Sequence, residues 1–400
     1  MSAASAIETG QRYLYPNYRQ PPIVFTHGQG CQLWDQSGKR YLDMFAGIAV
    51  STLGHGHPKL VAAISEQASK LLHISNYYFN EPNLRLAERV CRLANMDRAF
   101  FCNSGTEAIE ATLKLTRRYF HSKGQTERTR VIAFHNSFHG RTLGALAATG
   151  QNKYRDGFGL LPNVSHVAYG DTAALEQAMG PDVAGILVEP VQGEGGVLPA
   201  PAGFLKQLRV IADRHGALLL ADEVQTGVGR TGKFLAFHHE GVEPDAVALA
   251  KALGGGVPIG AMLCKKFLEE TLPPGSHGST FGGNPLASAA ALAVLGVLEE
   301  DGLMSAATTQ GELLAGLLGR IAEKFPKLVE TSRGRGLLQA LVLREGVDPR
   351  KVLGALQESG VLVTVAGAQA LRFSPPLIVR PTELEEACGL LERALAGYTA

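Results

Sequence analysis

The chain has 400 residues, 45% hydrophobic and 19% charged, enough apolar material to bury a sizeable core in two or three domains. Its 38 Lys and Arg against 37 Asp and Glu leave a charge of +1, which argues against a strongly basic nucleic-acid binder and against electrostatic attraction to a membrane surface. Five cysteines, Cys31, Cys91, Cys102, Cys264 and Cys388, are widely spaced with no C-x-x-C pair. That usage argues against a disulfide framework and a cysteine zinc site, and it suits a reducing compartment.

The first twenty residues contain no apolar run of the kind a secretory signal needs. Cys31–Leu33 and Arg40–Asp43 flank Asp35-Gln36-Ser37-Gly38, a pattern that predicts a hairpin. Seven short apolar runs then predict strands at Arg98–Cys102, Arg130–Phe134, Val164–Ala168, Gly185–Val188, Ala217–Ala221, Ala246–Ala250 and Gly260–Cys264. Helical patterns at Glu107–Phe120 and Phe204–His215 lie between them, as βαβ units around a mostly parallel sheet require. Leu286 to Leu298 is the longest apolar stretch; it is shorter than the roughly 20 residues of a membrane span and predicts a buried core helix. Further on, Gly311–Lys324 predicts an amphipathic helix, Leu337–Leu343 and Ala370–Ser374 predict strands, and Thr382–Ala396 a closing helix. The expected fold class is therefore α/β: a large, mostly parallel-sheet domain over residues 56–290, and a small α+β domain built from both termini, residues 1–55 and 291–400. We expect a soluble, cytoplasmic protein.

The 47 glycines gather where apolar strands end. In an open α/β sheet that edge is where ligands bind, because glycine lets the backbone approach them closely. Three constellations sit there. Ser104-Gly105-Thr106-Glu107 follows a strand and opens a helix with a capping-box pattern, which could be an ordinary cap or an anion site for phosphate. Lys251 ends an apolar strand before three glycines; it could snorkel to solvent, or be buried and lose its proton to become the amine that forms a Schiff base. Asp222 ends another strand, where a carboxylate can hold a cofactor's ring nitrogen protonated, bind Mg²⁺ or take a ribose hydroxyl.

Two other patterns point elsewhere. Gly227-Val228-Gly229-Arg230-Thr231-Gly232 is a literal G-x-G-x-x-G with Asp245 downstream, the basis of a remote reading as a nucleotide-dependent oxidoreductase. Against it, Asp222-Glu223 intervene before the first glycine, and no amphipathic helix opens at Gly232. His55, His57, His135 and His139 lack a third ligand at metal spacing and are expected to be satisfied by backbone. No G-x-S-x-G elbow is present.

Taken together, the ordered blocks Asp43-Met-Phe-Ala-Gly-Ile-Ala-Val, Leu53-Gly-His-Gly-His-Pro, Ser104-Gly-Thr-Glu-Ala, Phe138-His-Gly-Arg-Thr, Glu189-Pro-Val-Gln-Gly-Glu, Asp222-Glu-Val-Gln-Thr-Gly, Lys251, Gly278-Ser-Thr-Phe-Gly-Gly-Asn-Pro and Leu371-Arg-Phe-Ser-Pro-Pro span roughly 330 residues. In this order they resemble the class III, fold type I aminotransferases that use pyridoxal 5'-phosphate, and more closely the branch acting on N-acetylornithine. The resemblance implies that Lys251 bonds the cofactor and shuttles the proton, while Asp222 partners the ring nitrogen. It implies that Ser104, Gly105 and Thr106 cup the phosphate, that Phe138 and Val224 cover the two ring faces, and that Gln225 lies near the ring hydroxyl. Ser279 and Thr280 would reach the phosphate of a neighbouring subunit, which implies a homodimer with shared active sites.

For substrates the same resemblance implies that Arg372 binds the glutamate α-carboxylate, and that Glu194 pairs with that arginine when an ω-amine donor is bound. Arg141 would take the donor α-carboxylate and the distal carboxylate of 2-oxoglutarate, and Glu189 would also face substrate. Ile48 stands where related ornithine enzymes carry a tyrosine, which favours an N-acylated donor. Asn76 and Asn80 would lie near the substrate mouth. The implied reaction moves the δ-amino group of N2-acetylornithine to 2-oxoglutarate, as in arginine biosynthesis. N-succinylornithine, ornithine and other ω-amino acids are the alternative donors.

Overall fold

The computed structural model describes residues 2–159 and 162–398. Its centre is a seven-stranded sheet in the order Arg98–Cys102, Gly260–Cys264, Ala246–Leu249, Leu218–Asp222, Val183–Val188, Arg130–Phe134, Val164–Val167. Gly260–Cys264 runs antiparallel to both of its neighbours, and the other four strand pairs are parallel. All six residues of Val183–Val188 and all five of Leu218–Asp222 are buried. This is the composition of strands covered on both faces, and it explains why they read as continuous apolar runs rather than as alternation. All seven predicted strands are present, displaced by at most two residues at an end. The predicted helices Gly311–Lys324 and Thr382–Ala396 are longer, starting at Leu303 and Pro381.

The apolar stretch at Leu286–Leu298 lies within the helix Pro285–Glu300, which packs against Pro58–Lys70 and Glu81–Ala94. No described helix is long and apolar enough to cross a membrane. The predicted hairpin forms between Gln32–Asp35 and Arg40–Asp43, with Phe25–Gln29 added on one side. On the other side Val361–Leu362 pairs in parallel with Arg40–Asp43, so the two ends of the chain share one sheet. A second four-stranded sheet, Val329–Arg335, Leu338–Leu343, Ala370–Phe373 and Thr364–Ala366, is wholly antiparallel.

Arg230 ties this C-terminal sheet to the loop that follows Asp222. It is fully buried, and its Nη1 donates to the carbonyls of Leu337 and Pro375, while its own carbonyl accepts the Leu337 N–H. Loss of water pulls the guanidinium pKa down to about 9. Shortening Arg230 to Ala should strand two buried carbonyls and open a cavity. We expect Arg230→Ala to lose about 3 kcal/mol of stability in denaturant unfolding, and Arg230→Met, which keeps the volume and sheds the charge, to lose less than half of that. Equal losses would mean that the bonds to the carbonyls, which both variants remove, and not the packing carry the tie.

Candidate active site

A cavity of about 370 Å³ opens outside the carboxyl ends of the parallel strands. Of the residues singled out in the sequence, Ser104, Gly105, Thr106, Phe138, Arg141, Glu189, Glu194, Asp222, Val224, Gln225 and Lys251 line it. Sheet topology accounts for this gathering. Asp222 is the last residue of its strand, Lys251 lies two residues beyond Ala246–Leu249, and Asn103 and Ser104 bridge a strand to the long helix Gly105–Ser122.

Lys251 has φ of 41°, in the left-handed region that a residue with a Cβ enters only when its surroundings insist. Burial lowers its pKa, and although Glu194, Asp222 and Glu189 pull the other way, the net shift is downward. Its amine therefore becomes available as a neutral nucleophile or base at lower pH than an exposed lysine's. Asp222 presents a carboxylate whose Oδ1 accepts the Val224 N–H at 3.0 Å and whose Oδ2 meets His139 Nδ1 at 2.7 Å. His139 is thus held by a side chain rather than by backbone, a correction to the expectation for the strand-end histidines. His55 corrects it in the same way, with Nε2 2.7 Å from Asp43 Oδ2.

The helix N-terminus forms much as the capping box predicts. Ser104 Oγ accepts the Glu107 N–H at 3.3 Å, but Glu107 reaches back to the N–H of Asn103 at 2.9 Å, one residue further than the motif specifies. A Cβ on Gly105 would stand 2.7 Å from Val224 Cγ1, so the bare glycine is what lets Val224 close over the helix end. Thr106 Oγ1 accepts the N–H groups of Arg141 and Thr142, both at 3.2 Å, and joins the helix start to the next loop. Gly140 turns that loop with φ of 137°, and a Cβ there would clash with Thr106 Oγ1 at 2.3 Å.

The glutamates divide the work. Glu189 spends both oxygens on backbone, accepting Phe138 N–H at 2.8 Å and Gly193 N–H at 3.2 Å, and burial pushes its carboxyl pKa upward. Glu194 is also raised by burial, but Arg372 and Lys251 outweigh that and bring it below its ordinary range. Arg372, only 1% exposed, sits behind the cavity wall. Its Nη1 donates to Glu194 Oε1 and, at 3.3 Å, to Gln225 Oε1; its Nε donates to Thr364 Oγ1 at 3.1 Å.

Besides Arg372, five predicted positions fall outside the lining. Ile48 is 39% exposed on a run from Ala46 to Ala49 in which every φ is positive, and Val50 just beyond it forms the wall. Asp43 Oδ1 holds that unusual turn by accepting the N–H groups of Phe45 and Ala46. Asn76 Nδ2 donates to the carbonyls of Ser279 and Gly282; Ser279 and Thr280 do not line the cavity themselves, but Ser279 Oγ accepts from Nδ2 of Asn103, which does. Asn80 caps the helix Glu81–Ala94. The Gly227–Gly232 string opens no helix and forms turns after Asp222, so the strand–turn–helix context of a dinucleotide site is missing.

Sequence reasoning overlooked Glu110, one helical turn beyond Thr106, which accepts Gly144 N–H at 2.8 Å and Ala145 N–H at 3.1 Å and so anchors the Arg141 loop. It also overlooked Glu223, whose position directly after Asp222 was a signal. That carboxylate is buried, accepts Thr226 Oγ1 and the Phe237 N–H at 2.9 Å, and holds the loop carrying Val224 and Gln225.

These residues fit pyridoxal phosphate by their chemistry. A desolvated amine suits a carbonyl, a carboxylate suits a protonated ring nitrogen, a helix N-terminus beside Ser and Thr hydroxyls suits a phosphate, and Phe138 and Val224 offer apolar cover. Fold and site together are those of an aminotransferase of this kind. The Aminotransferase class-III family pattern matches residues 13–395, and the chain belongs to that family, whose members depend on pyridoxal phosphate. It is 49% identical to an acetylornithine aminotransferase of Myxococcus xanthus over 96% of both chains. It is 44% identical to a succinylornithine transaminase of Yersinia pseudotuberculosis over 95% of this chain and 94% of that one. Among solved structures, it superposes with a TM-score of 0.95 on the ornithine aminotransferase of Toxoplasma gondii, which holds PLP at partial occupancy; the two are 34% identical over 99% and 94% of their lengths.

Burial raises the Glu223 carboxyl to about 7 from an ordinary 4.5, with Thr226 and the Phe237 N–H opposing only part of the rise. The folded state therefore holds this proton more tightly than the unfolded chain, and the stability it contributes is complete below about pH 4.5 and lost as pH climbs to about 7. Measured against Glu223→Gln, the wild type should lose on the order of 3 kcal/mol of relative stability between pH 4.5 and 8. Unfolding curves at both pH values check this; a difference that stays constant would show that Glu223 remains ionised in the fold.

Proposed function

We propose that the protein transfers the δ-amino group of N2-acetylornithine to 2-oxoglutarate, giving N-acetylglutamate 5-semialdehyde and glutamate in a cytoplasmic route to arginine. The observation that carries this reading is one cavity lined by a desolvated lysine and by Glu194, which latches Arg372 behind the wall, while a second arginine, Arg141, lines the cavity unlatched. An ω-amine donor brings no carboxylate on its reacting carbon, so Glu194 can stay on Arg372. Glutamate does bring one, and the pair can open for it. The near-full-length likeness to a protein named acetylornithine aminotransferase supports the choice of donor.

In this reading Lys251, Asp222, Ser104, Gly105, Thr106, Phe138, Val224 and Gln225 hold pyridoxal phosphate, with Ser279 and Thr280 reaching it from a partner subunit. When bound, the cofactor supplies a carbonyl that takes up the amino group and a ring that withdraws electrons from the adjoining carbon. Lys251 Nζ, its pKa lowered by burial, would receive the proton from the donor's δ-carbon and redeliver it to the carbon on the other side of the transferred nitrogen. Asp222, steadied by His139, would hold the ring nitrogen protonated. Arg141 and Arg372 fix the substrate by its carboxylates so that only the carbon to be deprotonated lies under Lys251. Ile48, at the rim, leaves room for an acyl group. The domain division at residues 55 and 290 follows from the same reading, and the sheet shared by both chain ends supports it. So does a homodimer: Tyr77 is 92% exposed and Phe79 88%, beside Asn76 and its bonded Ser279 segment, which is the apolar surface a second copy would cover.

Two outcomes are expected of the purified holoprotein. N-acetylornithine alone should bleach its visible absorption, 2-oxoglutarate should restore it, and Lys251→Ala should cut turnover at least ~10³-fold. kcat/KM should favour N-acetylornithine over ornithine by roughly tenfold or more, with Ile48→Tyr narrowing the ratio. Bleaching by free ornithine in preference would overturn the choice of donor and leave the cofactor chemistry standing. N-succinylornithine should be assayed in parallel.

A further inference from the structure

Arg141 and Arg372 are held in opposite ways, and the difference singles out a residue that no motif marks. Arg372 is met by a carboxylate; among the described residues none pairs with the guanidinium of Arg141. Its carbon instead stands 4.1 Å from the centre of the Tyr154 ring and 5.2 Å from that of Phe138. The two rings are themselves locked edge to face, 5.7 Å apart at an interplanar angle of 83°. Tyr154 belongs to the short helix Asn152–Arg155, outside all of the family's sequence blocks. That helix is pinned from both ends, by Gln151 Nε2 donating to the Asn136 carbonyl and by Arg155 Nη1 against His166.

We infer that Tyr154 is the positioning residue for Arg141: its ring face holds the guanidinium by cation–π attraction and so sets the affinity for substrate carboxylates in both half-reactions. The physical reason is competition. An exposed arginine loses rotamer freedom when it must wait in one pose, and a neighbouring carboxylate would fix it but occupy the donors that the substrate needs. An aromatic face attracts the cation while leaving its in-plane N–H groups free. The edge contact with Phe138 places the guanidinium at a set height relative to the ring that covers the cofactor site. The inference rests on the reading of Arg141 as a carboxylate-binding arginine, and the test separates the two.

The measurement compares, in holoenzyme, kcat/KM for N-acetylornithine with that for N-acetylputrescine, the same amide and amine without the carboxylate. Wild type and Tyr154→Phe should share one preference for the carboxylate-bearing donor. Tyr154→Leu should reduce it roughly 3- to 20-fold, through KM for N-acetylornithine and 2-oxoglutarate, with kcat changed about twofold at most and N-acetylputrescine unaffected. Glutarate, which cannot react, should bind more weakly by the same factor in calorimetry. Because Leu could also loosen the helix, stepwise fluorination of the residue 154 ring, which drains its face of charge at nearly constant shape, should lower the preference step by step. If Arg141→Leu abolishes the preference while Tyr154→Leu and the fluorinated rings keep it, the platform role is wrong and the carboxylate reading stands. If Arg141→Leu itself keeps the preference, the carboxylate reading fails and the inference falls with it.

Discussion

A partly desolvated amine at the carboxyl edge of a parallel sheet is the constraint on which the rest of the site depends. Burying a Lys charge is costly unless the charge is paired or given up, and the fold does some of each. Glu194, Asp222 and Glu189 face Lys251 and partly restore its charged form, while burial and Arg372 oppose it, with the balance toward a lowered pKa. Each acid then needs its own restraint so that it does not collapse onto the lysine. Asp222 is tied to His139 and the Val224 N–H, Glu189 to two backbone amides, and Glu194 to Arg372. The positive φ of Lys251 belongs to the same arrangement, because the surrounding contacts must overrule the backbone's own preference.

That network links distant parts of the chain. The loop after Asp222 is held from beneath by the buried Glu223 and from the side by Arg230, which reaches the strand end that follows Arg372. Ser374, two residues beyond Arg372, donates to the carbonyls of Met44 and Phe45 and so fastens the left-handed turn that bears Ile48. A shift of the C-terminal sheet would therefore move the latched arginine and the cavity rim together. The loop bearing Arg141 answers to different supports, Thr106 and Glu110 by hydrogen bonds and Tyr154 by its ring. One carboxylate-binding candidate is thus mounted on the C-terminal antiparallel sheet, and the other on the helix whose N-terminus would meet the phosphate.

Much of this was legible in the residues alone. Continuous apolar runs such as Gly185-Ile-Leu-Val and Leu218-Leu-Leu-Ala mark doubly covered strands, and glycine clusters mark the edge where they end, so the sheet and the location of the cavity could be read directly. Lys251 and Asp222 stood out because a charge that terminates an apolar strand is costly to bury and must meet a partner or a ligand there. Strand ends drifted by a residue or two because the last hydrogen bonds of a strand depend on its neighbours. The histidines were misjudged for a similar reason: the imidazole of His139 finds Asp222, 83 residues away, and no local pattern announces that partner.

By itself the sequence determined the α/β class, the apolar runs that become the seven strands, the capped helix at Ser104, and the residue types able to hold a phosphate, a ring nitrogen and a carbonyl. These follow from interactions along neighbouring stretches of chain, where spacing translates directly into geometry. Only the tertiary structure decided which groups meet: that Arg372 is latched and Arg141 is not, that Val50 rather than Ile48 forms the wall, that Glu189 serves the backbone, and that Tyr154 lies under a guanidinium. Such pairings depend on burial and on contacts between segments far apart in sequence. The same arginine, tyrosine or glutamate in the same local pattern would read identically at the surface of another fold.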